Sequence, residues 1–240
     1  MSIPSEQTGS EKQHAAATSP ARATDGAATD GAATRVAAGN YTSPNLHKYT
    51  SGGRLYYWHL RQFMHVLYET IATTAPQSVL DAGCGEGFVT RFLRRQNADW
   101  RLTGVDVSAE AIAYARHHPS HDEGDARYRC GDLYDLPFDD DAFDTVLCSE
   151  VLEHLDHPDR AFDELRRVAR RSVVVSVPRE PYFQWLNDLG QALNLSPDPG
   201  HVNFWNRRGF RRFVRRHLHQ PRVFTKHIYQ LARGSVMRDS

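Results

Sequence analysis

Cysteine is scarce in this chain: Cys84, Cys130 and Cys148 are the only three in 240 residues, and none forms a C-x-x-C pair. That excludes a disulfide framework and predicts free thiols in a reducing cytoplasm. Net charge is missing too. Lysine plus arginine and aspartate plus glutamate each number 29, so no global field draws the chain to nucleic acid or to a membrane surface. No apolar run approaches the ~20 residues that cross a bilayer, and no transmembrane segment is expected. The N-terminus lacks the apolar centre of a signal peptide, and its acidic residues speak against a transit peptide.

Large apolar side chains are nearly absent from the first forty positions. This stretch is rich in Ala, Thr, Ser and Gly and contains a near-repeat from Ala23 to Thr34. It would bury too little apolar surface to offset its ordering entropy, so residues 1–40 are expected to form a disordered leader. The rest has the length of one ordinary domain. Residues 41–76 read as an N-terminal helical cap, because Leu55, Trp58, Leu60, Phe63, Val66, Leu67 and Ile71 recur mainly at spacings of three and four.

From residue 77 onward the periodicity alternates. Strand-like runs cover 78–81, 102–107, 127–131, 145–148 and 172–177, and helix-like segments lie between them. Ser108 and Pro158 supply helix-start signals. The fold class expected is α/β: a Rossmann-like, doubly wound, mostly parallel sheet with an antiparallel strand at its C-terminal edge and ligands at the carboxyl ends of the strands. One or two strands are expected between Arg222 and Leu231. Residues 179–205, with Tyr182, Phe183 and Trp185 and a Pro-Gly break at Pro199-Gly200, interrupt the alternation and are expected to be a helical lid. Trp205 would line its pocket, and Tyr49, Tyr56 and Tyr57 would close over the cofactor.

Glycine, sparse elsewhere, is concentrated in Asp81-Ala82-Gly83-Cys84-Gly85-Glu86-Gly87. Such a turn allows a ligand to approach the backbone closely. A dinucleotide would put an anionic pyrophosphate there. Asp81 and Glu86 oppose that, and the spacing is G-x-G-x-G rather than G-x-G-x-x-G. A phosphate-free cation fits better, and S-adenosylmethionine carries an ammonium and a sulfonium. Asp106 falls 19 residues after Gly87, where an acid can accept from ribose hydroxyls. Asp132 can accept from an adenine amino group while Leu133 packs on the ring. The blander reading of each acid is a helix cap or a surface charge.

Val79 to Gly87, Gly104-Val105-Asp106-Val107-Ser108, Gly131-Asp132-Leu133 and Phe143-Asp144-Thr145-Val146 together resemble the successive motifs of class I S-adenosylmethionine-dependent methyltransferases. The resemblance covers roughly residues 77–178. It implies that Asp81, Gly83 and Gly85 line the methionine part, Asp106 and Val107 the ribose side, and Asp132 and Leu133 the adenine. Ser149 or Glu150 would lie beside the transferred methyl. A small-molecule acceptor, methylated at oxygen, is the expected function. The alternatives are a metal-assisted RNA 2′-O-methyltransferase, a nicotinamide oxidoreductase and a non-catalytic cofactor-binding domain.

Glu150-Val151-Leu152-Glu153-His154 would place two carboxylates and an imidazole on one face if it made a helical turn. With His201 it would make a two-Glu, two-His divalent-cation site. Similar runs in this family also occur without metal. His154, with Glu150, is the candidate general base, against the plainer role of a packed or capping histidine. His117, His118, His121 and His157 read as surface residues. Finally, residues 206–218 alternate arginine pairs with a Phe210, Phe213, Val214 stripe. That is the solvated outer face of an amphipathic helix or a site for phosphate, RNA or acidic lipid.

Overall fold

The apolar runs of the sequence become the strands of one sheet. The structure is a computed structural model in which residues 54–118, 126–180, 200–226 and 228–236 are described, with side chains from Trp58 onward. The leader, Tyr49, the side chains of Tyr56 and Tyr57, His121, and the lid residues Tyr182, Phe183 and Trp185 lie outside the described residues.

Among the described residues the elements in chain order are α1 (Arg54–Ala72), β1 (Ser78–Ala82), α2 (Phe88–Gln96), β2 (Arg101–Asp106), α3 (Ala109–His117), β3 (Arg127–Cys130) and β4 (Phe143–Ser149). A 3-10 turn follows (Leu152–His154), then α4 (Pro158–Val168), β5 (Ala169–Pro178), α5 (Arg207–His217), β6 (Leu218–Lys226) and β7 (Tyr229–Val236). The seven strands are ordered β3-β2-β1-β4-β5-β7-β6. Strands β1 to β5 run parallel. β7 is antiparallel to both β5 and β6 and slots between them, so the outermost strand is β6. The C-terminal strands are also longer than the sequence pattern shows, because their half-exposed positions dilute the apolar signal.

Period-two alternation sends neighbouring side chains to opposite sheet faces. Leu80, Val146, Val173 and Val175 meet Phe162 and Leu165 of α4 and Phe210 and Val214 of α5 in one core. Val79, Leu147, Val174 and Leu231 meet Phe63, Leu67 and Ile71 of α1 and Leu93 of α2 in the other. Trp58 stands half in solvent, at 50% exposure, and leaves the expected stripe of α1. Asp144 in β4 accepts from the Gln77 and Ser78 amides at 2.9 and 3.0 Å and so locks β4 to the start of β1. Its burial would raise that carboxyl, but the two amides and Arg171 outweigh burial and hold it below the usual carboxylate range. Strand order reverses direction between β1 and β4, which opens a crevice at their carboxyl ends. Among the described residues, no helix is long and apolar enough to cross a membrane.

Candidate active site

Asp81 stands near the carboxyl end of β1 and is 2% exposed. Its Oδ2 accepts from Thr90 Oγ1 at 2.6 Å, in the first turn of α2. Burial pushes the carboxyl up to about 6; the Thr90 hydrogen bond opposes this, and the Asp106 charge adds to it. A cation arriving beside Asp81 would favour its ionised form.

The turn after β1 takes positive φ at each glycine: 80° at Gly83, 51° at Gly85 and 76° at Gly87. Side chains resist that region. The Gly83 and Cys84 amides donate to the Val105 carbonyl at 2.8 and 3.0 Å, tying the turn to the end of β2. Packing imposes a second requirement. A Cβ on Gly83 would lie 2.5 Å from Val151 Cγ2, and one on Gly87 would lie 2.7 Å from the Tyr128 hydroxyl. Two of the three glycines are thus demanded by protein neighbours as well as by the turn.

Asp106 ends β2. Its Oδ2 accepts from the Gly85 amide at 2.8 Å and its Oδ1 from the Ser108 amide at 2.9 Å. One carboxylate therefore spans the glycine turn and the entry to α3, where Ser108 Oγ caps the helix by accepting from the Ala111 amide at 3.1 Å. Val107, beside it, is 69% exposed, an apolar side chain held in solvent at the lip of the crevice. Asp132 is exposed just past β3 and accepts from the Tyr134 amide at 2.9 Å. Leu133 is buried in the core. The three acids end adjacent parallel strands, since β2 pairs with β1 on one side and β3 on the other.

On the other side of β1, Ser149 and Ser176 share a 2.9 Å hydroxyl contact. Ser176 donates its single proton to Glu150 Oε1 at 2.9 Å, so Ser149 must be the donor between the two serines. This relay corrects the expected E-x-x-E-H face. Glu150 has φ 57°, the 3-10 turn begins only at Leu152, and the Glu150 carboxylate turns to β5. The left-handed residue breaks the helical path that the i, i+3, i+4 spacing requires.

The remaining three members of the expected set do converge. One ligand atom each from Glu153, His154 and His201 lies within 4.8 Å of the others. The Glu153 side chain is buried, His201 is half-buried and His154 is exposed. The Val202 and Asn203 amides donate to the Glu153 carbonyl at 2.9 and 3.0 Å, and Asn203 Nδ2 donates to the Leu152 and Leu155 carbonyls. These bonds fasten the 200–203 segment to the 3-10 turn. His154 Nδ1 sits 3.2 Å from the Gly200 carbonyl. A carbonyl only accepts, so Nδ1 carries the proton in the neutral ring and Nε2 the lone pair.

Trp205 is half-buried and packs against the core. Its ring lies 5.3 Å from Phe213 and 6.4 Å from Phe210, and its carbonyl accepts from Gln230 Nε2. His117 and His157 are exposed as expected, but His118 is half-buried and stacks on Tyr114. Thr90, Val151, Tyr128, Ser176 and Asn203 all shape the site without a sequence signal of their own. Each acts on a partner that only the folded sheet brings close.

Comparison with known proteins sets this chain beside methyltransferases. The family model described as a methyltransferase domain matches residues 80–177. A ubiquinone biosynthesis O-methyltransferase from Coxiella burnetii is 36% identical over 88 residues, which is 37% of this chain and 37% of that protein. A malonyl-[acyl-carrier protein] O-methyltransferase from Pectobacterium atrosepticum is 38% identical over 98 residues, 41% of this chain and 36% of that protein. The aligned stretch therefore spans little more than a third of either relative. The solved magnesium protoporphyrin IX methyltransferase from Synechocystis, with bound SAH, superposes with a TM-score of 0.62 at 16% identity, covering 81% of this chain and 93% of that one. Residues 80–177 thus match a methyltransferase-domain model, and the fold is shared with the solved magnesium protoporphyrin IX methyltransferase.

Proposed function

We propose that this chain transfers a methyl group from S-adenosylmethionine to an oxygen of a small-molecule acceptor. The reading is carried by the row of strand-end acids around the positive-φ glycine turn. Asp81 suits the ammonium of the methionine part, Asp106 the ribose diol and Asp132 the adenine amino group. Val107 offers an apolar surface at the adenosine side, and Leu133 backs it from the core. The two aligned relatives are both O-methyltransferases by name, which supports oxygen as the target. The nicotinamide alternative fits poorly, because a pyrophosphate needs backbone amides at this turn and the Gly85 amide already serves Asp106.

S-adenosylmethionine supplies a methyl carbon made electrophilic by its sulfonium. Displacement at that carbon is in-line, so the chain contributes chiefly by holding donor and acceptor in register. On the acceptor side, His154 Nε2 can take the hydroxyl proton as oxygen attacks. Gly200 holds the tautomer that makes this possible.

A divalent cation at Glu153, His154 and His201 is a second reading, favoured by their convergence within 4.8 Å. One carboxylate and two imidazoles suit a first-row divalent metal, and three protein ligands leave positions for acceptor oxygens. Such an ion would lower the pKa of a bound hydroxyl. The RNA 2′-O-methyltransferase alternative would use the same three ligands.

Calorimetric titration tests the central reading. S-adenosylhomocysteine should bind with micromolar-range affinity and NAD should not; the reverse result would overturn it. Methyl transfer to small phenolic acceptors that survives both a chelator and Glu153→Gln would rule out the cation.

A further inference from the structure

Acidic residues are absent from Gly200 through Val236. In a chain of zero net charge this concentrates positive charge in the C-terminal segment. The concentration is sharpest on α5, where Arg207, Arg208, Arg211, Arg212, Arg215 and Arg216 are all exposed. At 3.6 residues per turn these six cover about half the helix circumference. The other half is Phe210, Phe213, Val214 and His217, buried against the sheet and α4. Of the six arginines, only Arg216 makes an ion pair among the described residues, with Asp159 at 2.8 Å.

The segment leading into this helix is unusual in a second way. Val202 and Phe204 are 54% and 53% exposed, two of the three large apolar side chains that stand this far into solvent among the described residues. They flank Asn203, which anchors the segment beneath the Glu153–His154–His201 cluster. An exposed apolar pair beside the Glu153–His154–His201 cluster thus adjoins an arginine face in which five of six guanidinium groups make no ion pair among the described residues.

We infer that α5 and the Val202–Phe204 segment dock this protein on an anionic phospholipid surface. Guanidinium groups meet lipid phosphates through paired hydrogen bonds, and the two apolar side chains enter the interface beside the acceptor site. The inference rests on the methyltransferase reading and extends it, since an acceptor carried in that surface would reach the site without leaving the lipid. Attachment is peripheral. The apolar stripe of α5 is spent on the protein core, so the helix offers charge while, among the described residues, Val202 and Phe204 offer the nearby insertion. A polynucleotide accounts for less of the pattern. An aliphatic valine has no stacking use, and the arginine face is one helix of about 16 Å.

Vesicle co-sedimentation of the full chain tests this. The protein should sediment with vesicles of phosphatidylcholine plus phosphatidylglycerol, remain in solution with phosphatidylcholine alone, and be released by added salt. Arg208→Gln/Arg212→Gln/Arg215→Gln should lower partitioning roughly a hundredfold, at about fivefold per arginine near a charged surface. Glutamine keeps helix propensity, so this variant should retain S-adenosylhomocysteine affinity. Phe204→Ser should weaken partitioning at high salt more than at low salt. Equal binding to neutral vesicles, or undiminished binding by the triple variant, overturns the inference. So does a preference for a polyuridine oligomer or an acidic protein over anionic vesicles. Loss of S-adenosylhomocysteine binding by the unaltered chain would instead strike the functional reading, whatever the vesicles show.

Discussion

Asp81→Asn removes one charge from the most consequential acid in the crevice and keeps its shape. The unaltered carboxyl is 2% exposed, and burial lifts it from an ordinary 3.8 to about 6. At 1.36 kcal/mol per unit, that shift means ionised Asp81 costs the folded state about 3 kcal/mol relative to the unfolded chain. The sign follows from linkage. A raised folded pKa gives stability that is fully present below about 3.8, and that stability is lost as pH rises through about 6. Asparagine titrates nowhere in this range, and its Oδ1 can still accept from Thr90. The stability of Asp81→Asn relative to the unaltered protein should therefore improve by about 2.4 kcal/mol between about pH 4 and about pH 8. Urea denaturation of both proteins across that range measures it, and the other carboxylates largely cancel in the difference. Cofactor binding should move the opposite way. If Asp81 meets the cofactor ammonium as proposed, affinity of the unaltered protein for S-adenosylhomocysteine should fall about tenfold per pH unit below pH ~6, because that contact needs the ionised carboxylate. Asp81→Asn should bind weakly with no such slope. A pH-independent stability difference, or one that shrinks as pH rises, would refute the argument that burial strains this carboxylate.

Two further perturbations probe the same turn. Asp106→Ala leaves the Gly85 and Ser108 amides without their acceptor; at about 1–3 kcal/mol for each unmet group that stays buried, the loss should appear in denaturant midpoints together with weaker cofactor binding, and a variant as stable as the parent would show that water replaces the carboxylate. Gly87→Ala should cost roughly 2–3 kcal/mol through left-handed backbone and overlap with Tyr128, and Tyr128→Phe, which removes the nearest atom, should recover part of that cost in a double-mutant cycle.

Much of the donor side was legible because its signals are local. Glycine at 83, 85 and 87 forces a turn, and Asp81, Asp106 and Asp132 each follow a short apolar run, so strand ends could be located without knowing which strands touch. The Phe210, Phe213, Val214 stripe likewise declared the inner face of α5. Around Glu150 a local pattern met a backbone exception. Glu150 fits a helical spacing but takes a left-handed φ and joins Ser176, a residue 26 positions away. Trp205 reads as a lid aromatic by neighbourhood; the return of β7 also ties its carbonyl to Gln230, 25 positions away.

The amino-acid sequence by itself determined the alternation of strands and helices, the positions of the strand-end acids and the charge segregation of α5. Each depends on periodicity or on a residue's own chemistry within a few positions. Only the tertiary structure decided the slot of β7 beside β5, the locking of Gly85 by Asp106, the depth that raises the Asp81 carboxyl, and the meeting of Glu153 and His154 with His201. These join residues far apart in the chain, and their energies arise from burial and from partners that exist only once the sheet has closed.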